Sequence, residues 1–519
     1  MLSLENTHTI ADLVRNACED YDDRVFLRYE RNDSIYDVTY RHLAGECRAF
    51  AAWARDRKNE LGHPLKAGLL GSASSHYIAL MLGLMAGGAV AVPLDIQLDF
   101  ETLADNLNRS DVDVLFYDWD YESRIRGIGE RCPKLSEIRC LQQGKNVLCS
   151  EDILVNYLDA PYKKADIRPE DLAMILFTSG TTGKGKGVML SHRNLIDNTF
   201  NYEEPEGADK DTCLNVLPIH HVFCITCDIM TTARYGGNVA LNPEIAKISR
   251  SIQHFQPTVI RMVPMMAKAL YNRIQSVSAA NPGMTCKEAA RQVLGHRLKR
   301  IVCGGGYLTP ELAERYLALG IPIAQGYGMS ECAPKISVPD WSRTDKTASV
   351  GRLVDRCQVR IVDGEIQVKS PSVMMGYYND PENTRAALTD DGWLRTGDLG
   401  RLDEENFLYI TGRKKNLIIL ANGENVAPEE LENKFVDEPL TEDVLIYGAD
   451  DMICAEIYPN YKYADDEGIR DVKTAVEELV QKVNAALPGF KRILRVHVRK
   501  SPSKRPPRKR LSGRPSSKN

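Results

Sequence analysis

The chain has no excess of positive charge. Its 519 residues carry a formal net charge of −5, which argues against nucleic acid as a partner of the whole chain. Long hydrophobic runs are absent too. The most apolar stretch, residues 77–94, is broken by Gly83, Gly87, Gly88 and Pro93. It reads as a buried helix followed by a strand, not a membrane span, and membrane contact is expected to be peripheral at most. Residues 1–10 lack a basic segment followed by an apolar one, so no secretory leader is predicted. Thirteen cysteines are scattered without a disulfide framework, as expected of reduced thiols in a cytoplasmic protein. No internal repeat is visible. What remains is an ordinary globular composition, 43% hydrophobic and 26% charged, in a chain too long for one domain.

One stretch is anything but ordinary: Phe177-Thr178-Ser179-Gly180-Thr181-Thr182-Gly183-Lys184-Gly185-Lys186-Gly187-Val188. Apolar runs enter and leave it. Glycines allow a tight turn whose N–H groups form an anion-binding concavity. Hydroxyls add rotatable donors and lysines add positive charge, a combination suited to polyphosphate. The P-loop pattern G-x-x-x-x-G-K-[ST] fits Gly180, Gly185 and Lys186 but fails at Gly187, where the hydroxyl for magnesium is missing. The following Val188-Met189-Leu190 reads as a strand, whereas a P-loop opens a helix.

Elsewhere, helical spacing over residues 10–18, 40–57, 194–200, 245–255 and 265–274 alternates with short apolar strands. Residues 90–93, 114–117 and 174–177 look like buried parallel strands. Residues 259–263 and 300–303 are strands as well, and residues 25–29 and 36–39 form a hairpin around Asn32-Asp33. The fold class is therefore α/β: a large N-terminal domain of layered sheets. From about residue 350 shorter strands (359–362, 365–369 and 407–410) indicate a small β-subdomain. Strands 417–420, 444–447 and 494–498 and helices 428–435 and 472–487 make a separate α+β module of about a hundred residues. The Lys-, Arg- and Pro-rich tail after Arg499 reads as mobile.

Further motifs follow the loop in order. Leu217-Pro218-Ile219-His220-His221 places imidazoles after a strand. Gly304-Gly305-Gly306 allows a flat ligand to approach backbone. Gln325-Gly326-Tyr327-Gly328-Met329-Ser330-Glu331 offers an aromatic face, a hydroxyl and a carboxylate. Thr396-Gly397-Asp398 suits ribose hydroxyls, and Gly412-Arg413-Lys414-Lys415-Asn416 falls where the pattern changes. His220, His221, Cys224 and Cys227 also invite comparison with a metal site, but no second Cys or His pair stands at zinc spacing.

Together these motifs resemble the adenylate-forming superfamily over nearly the whole chain. The resemblance is most specific over residues 178–188, 327–331 and 396–398, at Gly412-Arg413, and over residues 423–430. Leu217 to His221, Gly376-Tyr377-Tyr378-Asn379 and Lys415 are most similar to bacterial long-chain fatty acyl-CoA synthetases. It implies ATP-dependent conversion of a carboxylic acid, a medium- or long-chain fatty acid, to an acyl-adenylate. A thioester with coenzyme A then forms, with release of AMP and pyrophosphate. It assigns Thr178, Ser179, Gly180, Thr181, Thr182 and Lys186 to the β- and γ-phosphates, Glu331 to Mg²⁺ and Ser330 to the α-phosphate. Tyr327, Gly328 and Gly305 would face adenine, Asp398 and Arg413 the ribose, and His220 or His221 the acyl-pocket wall. Asp398 and Arg413 could also form a structural ion pair. Lys415 would be the hinge of a mobile lid and Gly423 would line the pantetheine tunnel. The implied domains are residues 1–412, a hinge at 413–415 and a lid at 416–519.

The family loop usually has Pro where this chain has Gly185, so a looser loop is expected. The family ends on a catalytic lysine in a Pro/Thr-rich segment, whereas this chain reads Ser503-Lys504-Arg505-Pro506-Pro507-Arg508-Lys509-Arg510. Lys509 matches by spacing, with a solvated basic arm as the other reading. No aspartate stands in an evident position to grip an amino acid's ammonium group. An acyl carrier protein acting in trans is the alternative acceptor, and a nucleotide- or acyl-binding protein with impaired turnover is the alternative from another class.

Overall fold

A computed structural model describes residues 1–142, 147–160, 166–178, 185–242, 244–420, 424–450 and 452–501. Ser179, Gly180, Thr181, Thr182, Gly423, Lys504 and Lys509 lie outside the described residues.

Two seven-stranded sheets dominate. The first runs, in spatial order, Ile323–Gln325, Arg300–Cys303, Val259–Met262, Thr212–Asn215, Asn238–Leu241, Val25–Arg31 and Ser34–Thr39. It is parallel except for the terminal hairpin. The second runs Gly376–Tyr377, Lys186–Ser191, Leu172–Thr178, Val90–Leu94, Lys66–Leu70, Val114–Tyr117 and Glu137–Cys140. The strand Leu172–Thr178 is not purely parallel as its apolar run suggested. It is parallel to Val90–Leu94 but antiparallel to Lys186–Ser191, the next strand in the chain. Burial on both faces, not strand direction, is what its continuous apolar run reports.

One core joins the inner faces of both sheets through the helices Tyr40–Leu61 and Ser75–Ala86. Thr39 and Ser74 cap these helices by accepting backbone N–H bonds from His42 and Tyr77, satisfying donors that a helix start leaves open. Separate clusters cover the outer faces. Smaller antiparallel sheets follow, built from Gln358–Val362, Glu365–Lys369, Leu394–Leu402 and Leu408–Arg413, and from Tyr327–Gly328, Lys335–Val338 and Arg352–Leu353. After a short turn at Lys414–Asn416, residues from Ile418 to Ile493 form a core of their own. Its sheet is Thr441–Ala449, Met452–Pro459 and Ile493–Val498. The central strand Met452–Pro459 has no counterpart in the sequence reading, and residues 245–247 form a 3-10 turn before the helix Ile248–Phe255 begins. Among the described residues no helix is long and apolar enough to cross a membrane.

Close helix packing carries a testable cost. A Cβ on Gly83 would lie 2.7 Å from the Cys47 carbonyl oxygen and 2.8 Å from Phe50 Cβ. Alanine would favour the helix by ~1 kcal/mol, but overpacking costs about 1–3 kcal/mol. Gly83→Ala is expected to lower the denaturant midpoint. A raised midpoint would show that the helix pair can spread at no cost.

Candidate functional site

The site forms at the carboxyl ends of the parallel strands, where open α/β sheets bind ligands. The chain leaves Arg300–Cys303 through Gly304-Gly305-Gly306, and Gly305 sits at φ +71° with its surface exposed. A left-handed backbone of this kind favours glycine. Beyond Ile323–Gln325 comes the turn that carries Tyr327 and Glu331. Gly328 is fixed there by space: a Cβ would fall 2.1 Å from the Pro334 carbonyl oxygen, across the register Gly328↔Lys335.

Two carboxylates are locked in place around this turn. Glu331 is buried, and the Tyr377 hydroxyl donates to its Oε1 at 2.9 Å. Burial and the neighbouring Glu331 charge push the Tyr377 phenol well above its usual range, so it remains a donor. Lys186 Nζ lies 4.9 Å from the centre of the Tyr377 ring, within cation–π range. The second carboxylate, Asp398, takes Tyr327 Oη on Oδ2 at 2.6 Å and Arg413 Nε on Oδ1 at 2.7 Å. The ion-pair alternative for Asp398 and Arg413 is therefore realised. It leaves Asp398 with unused lone pairs, since an ionised carboxylate offers about four acceptor sites. Burial raises the Asp398 pKa, while Arg413 and Tyr327 pull it down.

Lys415 lies in the short 3-10 turn Lys414–Asn416. Its pKa is lowered by burial and by Arg413 and Lys186, against the attraction of Asp398. Lys186 reaches this region from the base of the glycine loop, where Thr178 pairs with Lys186 across the hairpin. Ser330 and Glu331 share one 3-10 turn.

His220 and His221 have different surroundings. His220 is nearly buried, 3.6 Å from Asp95 Oδ1, while the His221 ring is exposed at 4.4 Å between ring centroids. Burial, reinforced by His221, pushes the His220 pKa down to about 4. Cys224 and Cys227 belong to a π-helix, Phe223–Met230. Burial drives both thiols up, Cys227 to about 11, the opposite of what a thiolate ligand needs. Among the described residues no three His, Cys, Asp or Glu side chains group as a metal site.

Sequence reading did not pick out Tyr377 as the partner of Glu331, nor Arg261, Asp228 and Lys335. Arg261 had a signal, a charge inside the apolar run Val259-Ile260-Arg261-Met262-Val263. Asp228, the aspartate closest to the histidine segment, is taken up by Arg261 at 3.6 Å and by Asn215 at 3.1 Å.

Two family models match this geometry and the sequence together: AMP-binding enzyme over residues 14–378 and AMP-binding enzyme C-terminal domain over residues 415–512. The chain belongs to the AMP-binding enzyme family. Among curated relatives it is similar to a long-chain-fatty-acid–CoA ligase of Escherichia coli, with 27% identity over 88% of this chain and 85% of the relative. It is also similar to long-chain-fatty-acid–CoA ligase FadD15 of Mycobacterium bovis, with 29% identity over 82% of this chain and 78% of the relative. A solved anthranilate CoA ligase in complex with anthranoyl-AMP superposes with a TM-score of 0.80 at 18% identity, covering 96% and 94% of the two chains. The fold is thus that of adenylate-forming enzymes.

The buried histidines of this AMP-binding enzyme predict a pH response. His76, His192 and His220 are all depressed to about 4, chiefly by burial. The unfolded chain protonates them near 6.5. Stability should carry no penalty from them above that value and fall as pH drops from about 6.5 towards 4. Histidine ring NMR is expected to show three rings still neutral at pH 5.5. Titration of all ten near 6.5 would contradict the burial.

Proposed function

We propose that this AMP-binding enzyme activates a fatty acid with ATP and transfers the acyl group to coenzyme A. The observation that carries the reading is the pair of locked carboxylates: Asp398 beside Arg413 and Lys415, and Glu331 held by Tyr377, whose ring Lys186 covers. Nucleotide activation needs that arrangement: charge neutralisation at the phosphates and fixed acceptors for the ribose, without a protein nucleophile.

In the first step a carboxylate oxygen of the acid attacks the α-phosphorus of ATP. The bond to the β-phosphate breaks and pyrophosphate leaves. Thr178, Ser179, Gly180, Thr181, Thr182 and Lys186 are proposed to hold the β- and γ-phosphates, and Ser330 the α-phosphate. Tyr327, Gly328 and Gly305 would receive adenine, and Asp398 with Arg413 the ribose hydroxyls. Glu331 fits Mg²⁺, which commonly takes one or two carboxylates and completes its shell with phosphate and water oxygens. Bound there, the ion would neutralise phosphate charge. Tyr377 orients that carboxylate. Lys509 is proposed to bridge the attacking carboxylate and the α-phosphate.

In the second step the thiol of coenzyme A attacks the acyl carbon. The acyl–oxygen bond breaks, AMP departs with that oxygen, and the thiol proton goes to solvent. Residues 413–415 would be the hinge between the domains 1–412 and 416–519. The separate core from Ile418 to Ile493 supports this division. Lys414 pairs with Glu365 at 2.9 Å in the arrangement described, a contact that rotation about Lys415 would have to exchange. Gly423 would line the path of the pantetheine arm, and the His220 wall would border the acyl chain.

ATP–pyrophosphate exchange with a panel of acids tests the reading. Exchange should require Mg²⁺ and a fatty acid. ATP binding without exchange for any acid would contradict it. A hydrogen bond to a charged group is worth about 1.5–3 kcal/mol, so Tyr377→Phe should raise the half-saturating Mg-ATP concentration by about tenfold or more. An unchanged value would remove Tyr377 from the site. Lys509→Ala should abolish exchange while thioester formation from preformed acyl-adenylate survives. Retained exchange would take that role away from Lys509.

A further inference from the structure

The face of the first sheet that looks towards the π-helix is polar where an apolar tunnel would be expected. Register places Asn215 beside Arg261, Arg261 beside Val302 and Val302 beside Ala324, all on one face. Val302, one strand in from the edge, and Ala324, on the edge strand, are partly accessible, and so is Phe223, whose ring packs where a Cβ on Gly304 would sit. These residues share the sheet face that leads to the glycine turn at Gly304.

Charges gather on the same side of the sheet. Arg261 pairs with Glu204 at 2.7 Å, and Arg300 with Asp211 at 2.6 Å and Glu204 at 3.4 Å. Lys299 adds a contact to Asp211 at 3.1 Å. The acidic groups of this network are thereby taken up by Arg261, Arg300 and Lys299.

One cation is left over. Lys335 is four residues beyond Glu331, on the strand that pairs with Tyr327–Gly328. Its backbone is pinned on both sides by the Asn198 side chain, at 3.1 Å each way. Cys227 of the π-helix, Glu204, Arg261 and Arg234 are the charges and dipoles it feels. Among the described residues its ammonium makes no ion pair or hydrogen bond. The side chain is partly accessible, yet its surroundings desolvate it enough to lower its pKa. Its ammonium lies within electrostatic reach of Cys227 on the π-helix and of Arg261 on the sheet face opposite. An unpaired cation in such a place costs free energy that a complementary anion recovers.

We infer that the acid activated by this enzyme carries a second anionic oxygen group, distal to the reacting carboxylate, and that Lys335 binds it inside the acyl cleft. This rests on the acid-activating reading above and narrows it from plain fatty acids to dicarboxylic ones. Val302, Ala324 and Phe223 would pack against the apolar middle of such an acid. Lys335 acts here as a specificity determinant.

The test compares pyrophosphate exchange for straight-chain monoacids and α,ω-dicarboxylic acids matched in length, from short to long, with ω-hydroxy acids as a neutral third set. Wild-type kcat/KM for the best diacid should exceed that of its matched monoacid and hydroxy acid by about tenfold or more, the size expected of one charge-assisted hydrogen bond. Lys335→Met should erase that advantage, losing activity on the diacid and gaining on the monoacid, with KM for ATP unchanged. Should the variant fail to fold, the wild-type ratio alone decides. A wild-type preference for monoacids, equal use of hydroxy acid and diacid, or a ratio untouched by Lys335→Met overturns the inference and leaves acid activation standing. No exchange with any acid overturns both.

Discussion

Asp398 is the constraint on which the rest of the site depends. Its buried carboxylate is gripped from one side by Arg413, on the strand that leads to the small domain, and from the other by Tyr327, on the turn that carries Glu331. One acidic group thus ties the hairpin of Leu394–Leu402 and Leu408–Arg413 to Tyr327, 71 residues before Asp398. Arg413 is half exposed, so it is the buried Asp398 that would be left uncompensated if the pair broke. This makes the relative position of Tyr327 and Arg413 stiff without any metal or disulfide. The same turn then presents Glu331, which Tyr377 holds in turn. The ends of the site proposed for phosphate and for ribose are thus held by two hydrogen-bonded carboxylates on one frame.

That frame also explains how an anionic ligand is received. Lys186, Arg413 and Lys415 sit near enough for their charges to oppose one another at Lys415. A phosphate bound as proposed would relieve their mutual repulsion. The sheets beneath provide rigidity: helices cover both faces, and the glycine contacts at Gly83 and Gly328 leave no room for a side chain. Function is carried by loops at strand ends, which tolerate the φ values and close approaches that strands forbid.

Much of this could be read from residues alone. The buried strands announced themselves as apolar runs, and the caps at Thr39 and Ser74 follow ordinary helix chemistry. Asp398, Arg413, Tyr327 and Glu331 were named as a group because their motifs occur in a fixed order. What escaped was pairing. Nothing in local sequence says that the Tyr377 hydroxyl meets Glu331, since 46 residues separate them. Lys335 was read past because a lysine on a short strand is ordinarily solvated. Only the three-dimensional arrangement shows that its acidic neighbours are spoken for. Strand direction escaped for a similar reason: burial on two faces looks the same in parallel and antiparallel pairing, as in Leu172–Thr178.

The central claim is that the acid's own oxygen attacks the α-phosphorus and leaves with AMP. It is tested most directly by a single turnover with acid labelled with ¹⁸O in its carboxylate, followed by mass analysis of AMP and pyrophosphate. The account predicts one labelled oxygen in AMP and none in pyrophosphate. AMP without label, or label in pyrophosphate, would contradict it.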